Sequence, residues 1–251
     1  MNRFAKPWGT VLAAATLAAM MFFVNLSATF LVPADSAMGD AQRIVYVHVS
    51  VAWLSLVGFL VMAGTGIQYL RHRDLTWDCW SQSAAELGWL TCTLTLVTGA
   101  HWAHEAWGTW WTWDPRLTTA FILWMLYSAC LTIRVSVKDS HRRAKFSAVV
   151  AIVGLLDIPF VTMATTWFRG IHPVAPDMEP AMRIVLVATA IGYAVFLGLL
   201  LIQRQRQIQL EIAIDALVRD TLRVSEDAMH SASPELSDQY EYLEHEKEYC
   251  G

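Results

Sequence analysis

Six long apolar segments constrain the fold of this chain more than any other feature. They lie at about residues 10–32, 44–69, 84–101, 117–137, 146–167 and 182–202. Each is close to the ~20 residues that a helix needs to cross a bilayer, and charged or proline-rich stretches separate them. The sequence therefore predicts an all-α integral membrane protein, with a bundle of six transmembrane helices in residues 1–204.

Composition and charge agree with this class of fold. The chain is 55% hydrophobic and 16% charged, whereas soluble domains are about a quarter charged. The net charge of -4 comes with no dominant basic face, which argues against a nucleic-acid partner. The four cysteines form neither CxxC nor CxxCH, so a zinc ribbon, a dithiol redox site and a covalently attached c-type haem are not encoded.

The basic residues predict the orientation in the membrane, because loops rich in Lys and Arg stay in the cytoplasm. One set of loops carries Arg3, Lys6, Arg71, Arg73, Lys138, Arg142, Arg143, Lys145, Arg204 and Arg206. The opposite loops carry only Arg43, Arg116, Arg169 and Arg183. We expect both termini in the cytoplasm and the opposite loops in the periplasm of a bacterial inner membrane. The first segment is too long for a signal peptide and is expected to be retained as a span.

Residues 205–251 are predicted to form a separate cytoplasmic tail. The stretch RQRQIQLEIAIDALVRDTLRV has helical apolar spacing and is expected to be an amphipathic helix. The following stretch SASPELSDQYEYLEHEKEYCG is acidic and polar, and we expect it to be disordered.

Five tryptophans are crowded into an outward-facing loop at about residues 102–118, WAHEAWGTWWTWDPRLT. An aromatic belt at the membrane interface accounts for the scattered Trp8, Trp53, Trp77 and Trp80. It accounts poorly for five indoles in one loop. Indole faces stack on aromatic ligands, so we interpret the loop as a platform for a flat apolar ligand at the membrane surface.

Two histidines are expected at the same depth as this loop. His48 lies about one turn into the second segment, and His172 lies just past the outer end of the fifth. Imidazole suits iron, and a flat ligand with two axial positions needs one imidazole on each side. His101 and His104 lie on the same side of the membrane and remain alternatives.

The four outer arginines are candidates to pair with the two propionates of a haem, since guanidinium binds carboxylate in a bidentate fork. Ordinary snorkelling at helix ends is the alternative. Asp157 lies inside the fifth segment, two residues before Pro159. An ionisable group there indicates function or packing, and the pair predicts a kinked, hydrogen-bonded junction.

The stretch WGTWWTWDPRLT resembles the WWD signature of the haem-handling proteins of cytochrome c biogenesis. The histidines in YVHVSVAW and WFRGIHP resemble the outer axial pair of those proteins. Six segments in 251 residues, with the WWD loop between the third and fourth, are most similar to the CcmC family of haem exporters. The resemblance covers about residues 40–205, and the acidic tail lies outside it.

The resemblance implies that haem b is held transiently and non-covalently at the outer surface and delivered to the haem chaperone CcmE. It implies a complex with CcmA, CcmB and CcmD, and haem transfer rather than enzymatic catalysis. ATP hydrolysis would belong to CcmA, because this chain has no GxxxxGKS/T loop. His48 and His172 are then the implied axial ligands of the haem iron. The implied platform consists of Trp107, Gly108, Trp110, Trp111, Trp113, Asp114 and Arg116.

Three other classes are weighed against this one. A synthase component similar to CcsA or CcmF is expected to be longer and to have an inner histidine pair, whereas His72 and His141 sit in charged loops. A b-type electron carrier places paired histidines deep in facing spans, whereas both candidates here lie at one edge. A permease subunit of an ABC transporter has no need of the tryptophans.

Overall fold

The computed structural model describes residues 39–168, 170–172 and 178–249, with short pieces of the first 38 residues at 11–12, 15–19, 21–22, 26, 32 and 34. In the stretch from residue 39 onwards, a short 3-10 turn, Asp40–Arg43, precedes six α-helices. The helices are α1 (Ile44–His72), α2 (Leu75–Trp107), α3 (Pro115–Ser136), α4 (Ser140–Gly154), α5 (Asp157–Trp167) and α6 (Pro180–Tyr249). The part of the chain that the structure describes contains no β-strand, so the all-α prediction is confirmed.

Within the described residues, four helical stretches are long and apolar enough to cross a membrane: Asp40–His72, Pro115–Ser136, Ser140–Trp167 and Pro180–Ala228. They correspond to four of the predicted segments. Helix α2 is long enough but less apolar, because residues 84–101 include four threonines and Glu86. The predicted segment 10–32 lies largely outside the described residues. The total of six spans therefore stays a prediction.

The helix ends around the tryptophan-rich loop follow from local sequence. Gly108 ends α2 with φ 69°, a left-handed conformation that suits glycine. Asp114 begins α3 as its N-cap, with Pro115 at the first helical position. The loop is therefore 108–114, shorter than the predicted 102–118, because Trp102 and Trp107 belong to α2.

The predicted fifth segment is divided into two helices, α4 and α5. The break lies where we expected a kink, near Asp157 and Pro159. Proline lacks the N–H group, and its ring clashes with the carbonyl four residues earlier. Helix α4 therefore ends at Gly154, and hydrogen bonds of the 3-10 type carry the chain to α5. Asp157 Oδ2 is buried and has no hydrogen-bond partner among the described residues.

The central core is built where α1, α2, α3 and α4 meet. Its buried members are Phe59, Met62, Ala63, Ala84, Ala85, Cys92, Leu123, Tyr127, Cys130 and Ala151. Tyr127 donates a hydrogen bond to the carbonyl of Ser55 at 2.7 Å, and a Cβ on Gly88 would overlap its ring. Small residues of this kind let membrane helices approach closely.

A polar network crosses the bundle near the N-terminal end of α2. Arg134 pairs with Asp78 at 2.8 Å, and their side chains are only 4% and 6% exposed. Gln82 and Glu86 lie four and eight residues after Asp78, on the same face of α2, and Gln82 donates a hydrogen bond to Glu86. Glu86 also pairs with Arg204 at 2.5 Å. Since a buried charge is tolerated only when paired, these contacts hold α3 and α6 against α2.

The chain divides into two compact units, Met1–Arg206 and Gln207–Gly251. Described by itself, the second unit is helical as far as Tyr249. The acidic stretch that we expected to be disordered is thus part of a helix. Glutamate, the commonest residue of this stretch, is a good helix former, which favours this conformation.

Candidate functional site

A cavity of about 1070 Å³, counted with its open mouth, lies among α1, α2, α3, α5 and the segment that follows α5. His48 and His172 both line it, although 124 positions separate them in the sequence. The other lining residues on which the site depends are Trp102, Trp107, Trp111, Arg116 and Gly99.

The orientation and tautomer of His48 follow from its contact with Thr98. His48 Nδ1 lies 3.0 Å from Thr98 Oγ1, and Thr98 Oγ1 donates its hydrogen to the carbonyl of Leu94 at 2.6 Å. A hydroxyl has one hydrogen to donate, so with that hydrogen on the Leu94 carbonyl Thr98 Oγ1 is an acceptor for His48 Nδ1. In the tautomer that satisfies this contact, Nδ1 carries the proton and Nε2 keeps the lone pair that can bind a metal.

Gly99 makes room for the His48 ring. A Cβ at this position would lie 2.9 Å from His48 Cε1. Gly99 stands midway between Thr95 and Ala103, which line the same cavity at four-residue spacing along α2. Our sequence reasoning missed this stripe of small residues, although its helical period is a signal that could have revealed it.

His172 follows the end of α5 and is held from the tryptophan-rich loop. Its backbone N–H donates to Asp114 Oδ2 at 3.4 Å. The other carboxylate oxygen of Asp114 accepts from the backbone N–H of Leu117 at 2.9 Å. Asp114 is only 9% exposed, and it lies behind the cavity wall rather than in its lining.

The predicted tryptophan platform divides into an inner and an outer group. The inner group lines the cavity: Trp102 meets Trp107 edge to face, with ring centroids 4.8 Å apart, and Trp111 lies against Phe121. The outer group consists of Trp110 and Trp113, which are 56% and 73% exposed. Aromatic pairs prefer such edge-to-face contacts, and the inner indoles form an aromatic wall of the cavity.

Two indole N–H groups in this wall lack a partner in the part of the chain that the structure describes. Trp102 Nε1 and Trp111 Nε1 are buried and make no hydrogen bond within the described residues. Buried donors are nearly always paired, and an exception calls for an explanation such as an absent ligand. Together with the Arg116 guanidinium, they suit a ligand that carries acceptor oxygens, as the propionates of haem do.

The alternative histidines lie away from this cavity. His104 stacks on Trp110 with ring centroids 4.1 Å apart and approaches Glu105 at 3.5 Å. His101 lies 6.1 Å from the Trp110 ring. Neither residue contributes to the cavity lining. Of the four outer histidines, the structure brings His48 and His172 together.

Of the predicted arginines, Arg116 lines the cavity. Arg43 instead binds the Asp40 carboxylate at 2.8 Å and the carbonyl of Val32 at 3.0 Å. Arg183 is exposed in the first turn of α6. The fourth candidate, Arg169, lies outside the described residues. Gly108 is exposed and serves to end α2 rather than to line the cavity.

The donor set suits an iron that already has equatorial ligands. Over the described ranges, no group of three or more His, Cys, Asp or Glu residues is placed to hold a bare metal ion. Two imidazoles in one cavity are enough for the iron of a porphyrin, whose ring supplies the other four nitrogens. The aromatic wall and the unpaired donors fit such a ligand as well.

Comparison with known proteins agrees with this chemistry. Residues 1–219 match the family described as CcmC: Heme exporter protein C. Heme exporter protein C of Bradyrhizobium diazoefficiens is 33% identical over 173 residues, 69% of this chain and 64% of that protein. The proteins of the same name from Paracoccus denitrificans and Escherichia coli are 31% and 28% identical, over 72% and 70% of this chain and 78% and 74% of their own lengths. The chain spans less than two thirds of the Bradyrhizobium relative. The match over 219 residues shows that the chain belongs to the CcmC family of haem exporter proteins.

Proposed function

We propose that this protein binds haem b non-covalently in the cavity and hands it on during the biogenesis of c-type cytochromes. His48 and His172 are the proposed axial ligands. The observation that carries the proposal is that both imidazoles line one cavity with the inner tryptophans and Arg116. The names of the relatives support haem handling.

Each part of the cavity has a distinct role in this proposal. Haem supplies an iron with two open axial positions, and His48 offers it the unprotonated Nε2. The inner tryptophans Trp102, Trp107 and Trp111 pack against the porphyrin. Arg116 and the unpaired indole N–H groups bind propionate oxygens, since a buried acceptor-bearing ligand satisfies them. Arg43, Arg169, Arg183 and Gly108 stay predictions as haem contacts.

The exposed outer tryptophans support delivery of haem to a partner. Trp110 and Trp113 present large apolar surfaces, and exposed aromatics often mark interaction sites. We propose the chaperone CcmE as the acceptor and CcmA, CcmB and CcmD as members of the same complex, with ATP hydrolysis in CcmA. The concentration of basic residues in the opposite loops favours an inner-membrane location with residues 108–114 in the periplasm.

Spectroscopy of the purified full-length protein tests the proposal. We expect a b-type absorption spectrum and pyridine haemochrome in the wild type, and a shifted or lost spectrum in His48→Ala and in His172→Ala. The matched controls are His101→Ala and His104→Ala, which remove imidazoles outside the cavity and are expected to leave the spectrum unchanged. A spectrum that changes only in the controls would contradict the assignment.

A further inference from the structure

We propose that Asp114 is a positioning residue that holds the His172 segment against the start of α3. The inference rests on the proposed function, because it concerns the placement of a proposed haem ligand. The resemblance to the WWD signature implies a haem contact for Asp114. The structure instead assigns its carboxylate to the protein itself.

Both oxygens of Asp114 are engaged by backbone N–H groups. Oδ1 accepts from Leu117 at 2.9 Å, which caps α3. Oδ2 accepts from His172 at 3.4 Å. An ionised carboxylate only accepts hydrogen bonds, and the N-terminus of a helix favours a negative charge. The side chain therefore links two segments that are far apart in sequence.

The position of Gly170 supports the same link independently. A Cβ on Gly170 would overlap Asp114 Oδ2, so the chain of residues 170–172 passes directly against the carboxylate. Only glycine permits this close approach of the backbone. The geometry of the segment before His172 thus depends on the pairing of Gly170 with Asp114.

Asp114 thereby supports two sides of the cavity, the aromatic wall and the His172 segment. Asp114 is the last residue of the loop that carries Trp111, and it lies two residues before Arg116; Trp111 and Arg116 both line the cavity. His172 approaches from the segment after α5. One carboxylate therefore sets the position of His172 relative to the aromatic wall. Its loss should weaken ligation by His172 while the wall remains.

Comparison of Asp114→Ala and Gly170→Ala with His172→Ala tests this role in the haem-loaded full-length protein. We expect both positioning variants to convert ferric haem from six-coordinate low-spin towards high-spin, as His172→Ala does, and to release haem about 10- to 100-fold faster, the usual effect of losing a residue that orients a metal ligand. Added imidazole should restore the low-spin spectrum. Asp114→Asn keeps one acceptor oxygen and should fall between the wild type and Asp114→Ala.

The matched control is Glu105→Gln, which removes an exposed acid near the same loop and should leave the haem spectrum unchanged. A second readout uses the haem-free protein, in which hydrogen exchange of peptides containing residues 170–172 should be faster in Asp114→Ala than in the wild type. Low-spin haem together with unchanged exchange in Asp114→Ala would overturn the proposal. An unchanged spectrum in His172→Ala, with faster exchange in Asp114→Ala, would refute the ligand assignment and leave the positioning role standing.

Discussion

Replacement of Thr98 by valine should weaken haem binding without removing a ligand. Valine keeps the shape of threonine but cannot accept a hydrogen bond from His48 Nδ1, which lies 3.0 Å from Thr98 Oγ1. The imidazole then loses the contact that holds Nδ1 and favours one tautomer. This change isolates the hydrogen bond, since the proposed axial ligand itself is unaltered.

The size of the effect can be bounded from two sides. Loss of a hydrogen-bonded partner of a metal-ligating histidine typically costs 10- to 100-fold in affinity, or about 1.4–2.8 kcal/mol. Hydrogen bonds between membrane helices average only about 0.6 kcal/mol and reach about 1.7. Because the bond between Thr98 and His48 joins two membrane helices, the effect should lie at the lower end of the 10- to 100-fold range. We therefore expect haem to bind about 10-fold more weakly in Thr98→Val.

Transfer of haem to excess apomyoglobin measures this loss as a dissociation rate. Thr98→Ser keeps the hydroxyl and should release haem at nearly the wild-type rate. Thr132→Val is the matched control, because Thr132 makes the same bond to the carbonyl four residues earlier, at 2.8 Å, and lies outside the cavity lining. Equal rates in Thr98→Val and the wild type would refute the role of Thr98.

Three further predictions concern other parts of the structure. Gly99→Ala introduces a Cβ 2.9 Å from the His48 ring, so we expect weaker haem binding with an unchanged helical circular dichroism spectrum. Arg134→Met leaves the Asp78 carboxylate buried and unpaired, which should lower the free energy of unfolding by roughly 3–5 kcal/mol. Thermal unfolding in detergent should show a lower midpoint, and adding Asp78→Leu to the same chain should restore most of the lost stability. Trp113→Ala removes a side chain that is 73% exposed, so haem should be retained while its transfer to the acceptor slows; retained haem with normal transfer would contradict the proposed docking role.

Much of the fold could be predicted because hydropathy and chain breakers act locally. The apolar segments account for α1, α3 and α6, and Pro159 explains the break between α4 and α5. The bounds of the tryptophan-rich loop were wrong, although Gly108 as a helix C-terminal residue and Asp114 before Pro115 are local signals that mark them.

The site could be predicted only in part, since it depends on which helices pack together. The common depth of His48 and His172 suggested a shared ligand, and the structure brings both to one cavity. The partners of Thr98 and Asp114 come from other segments, so no local pattern reveals them. The pairing of Asp78 with Arg134 likewise requires α2 and α3 to be adjacent.

Electron paramagnetic resonance of ferric haem in the purified protein tests the central claim most directly. The account predicts a low-spin signal from two imidazole ligands in the wild type, and a high-spin signal in His48→Ala and in His172→Ala that added imidazole returns to low spin. A wild-type low-spin signal that survives in the variant lacking both histidines would contradict the account.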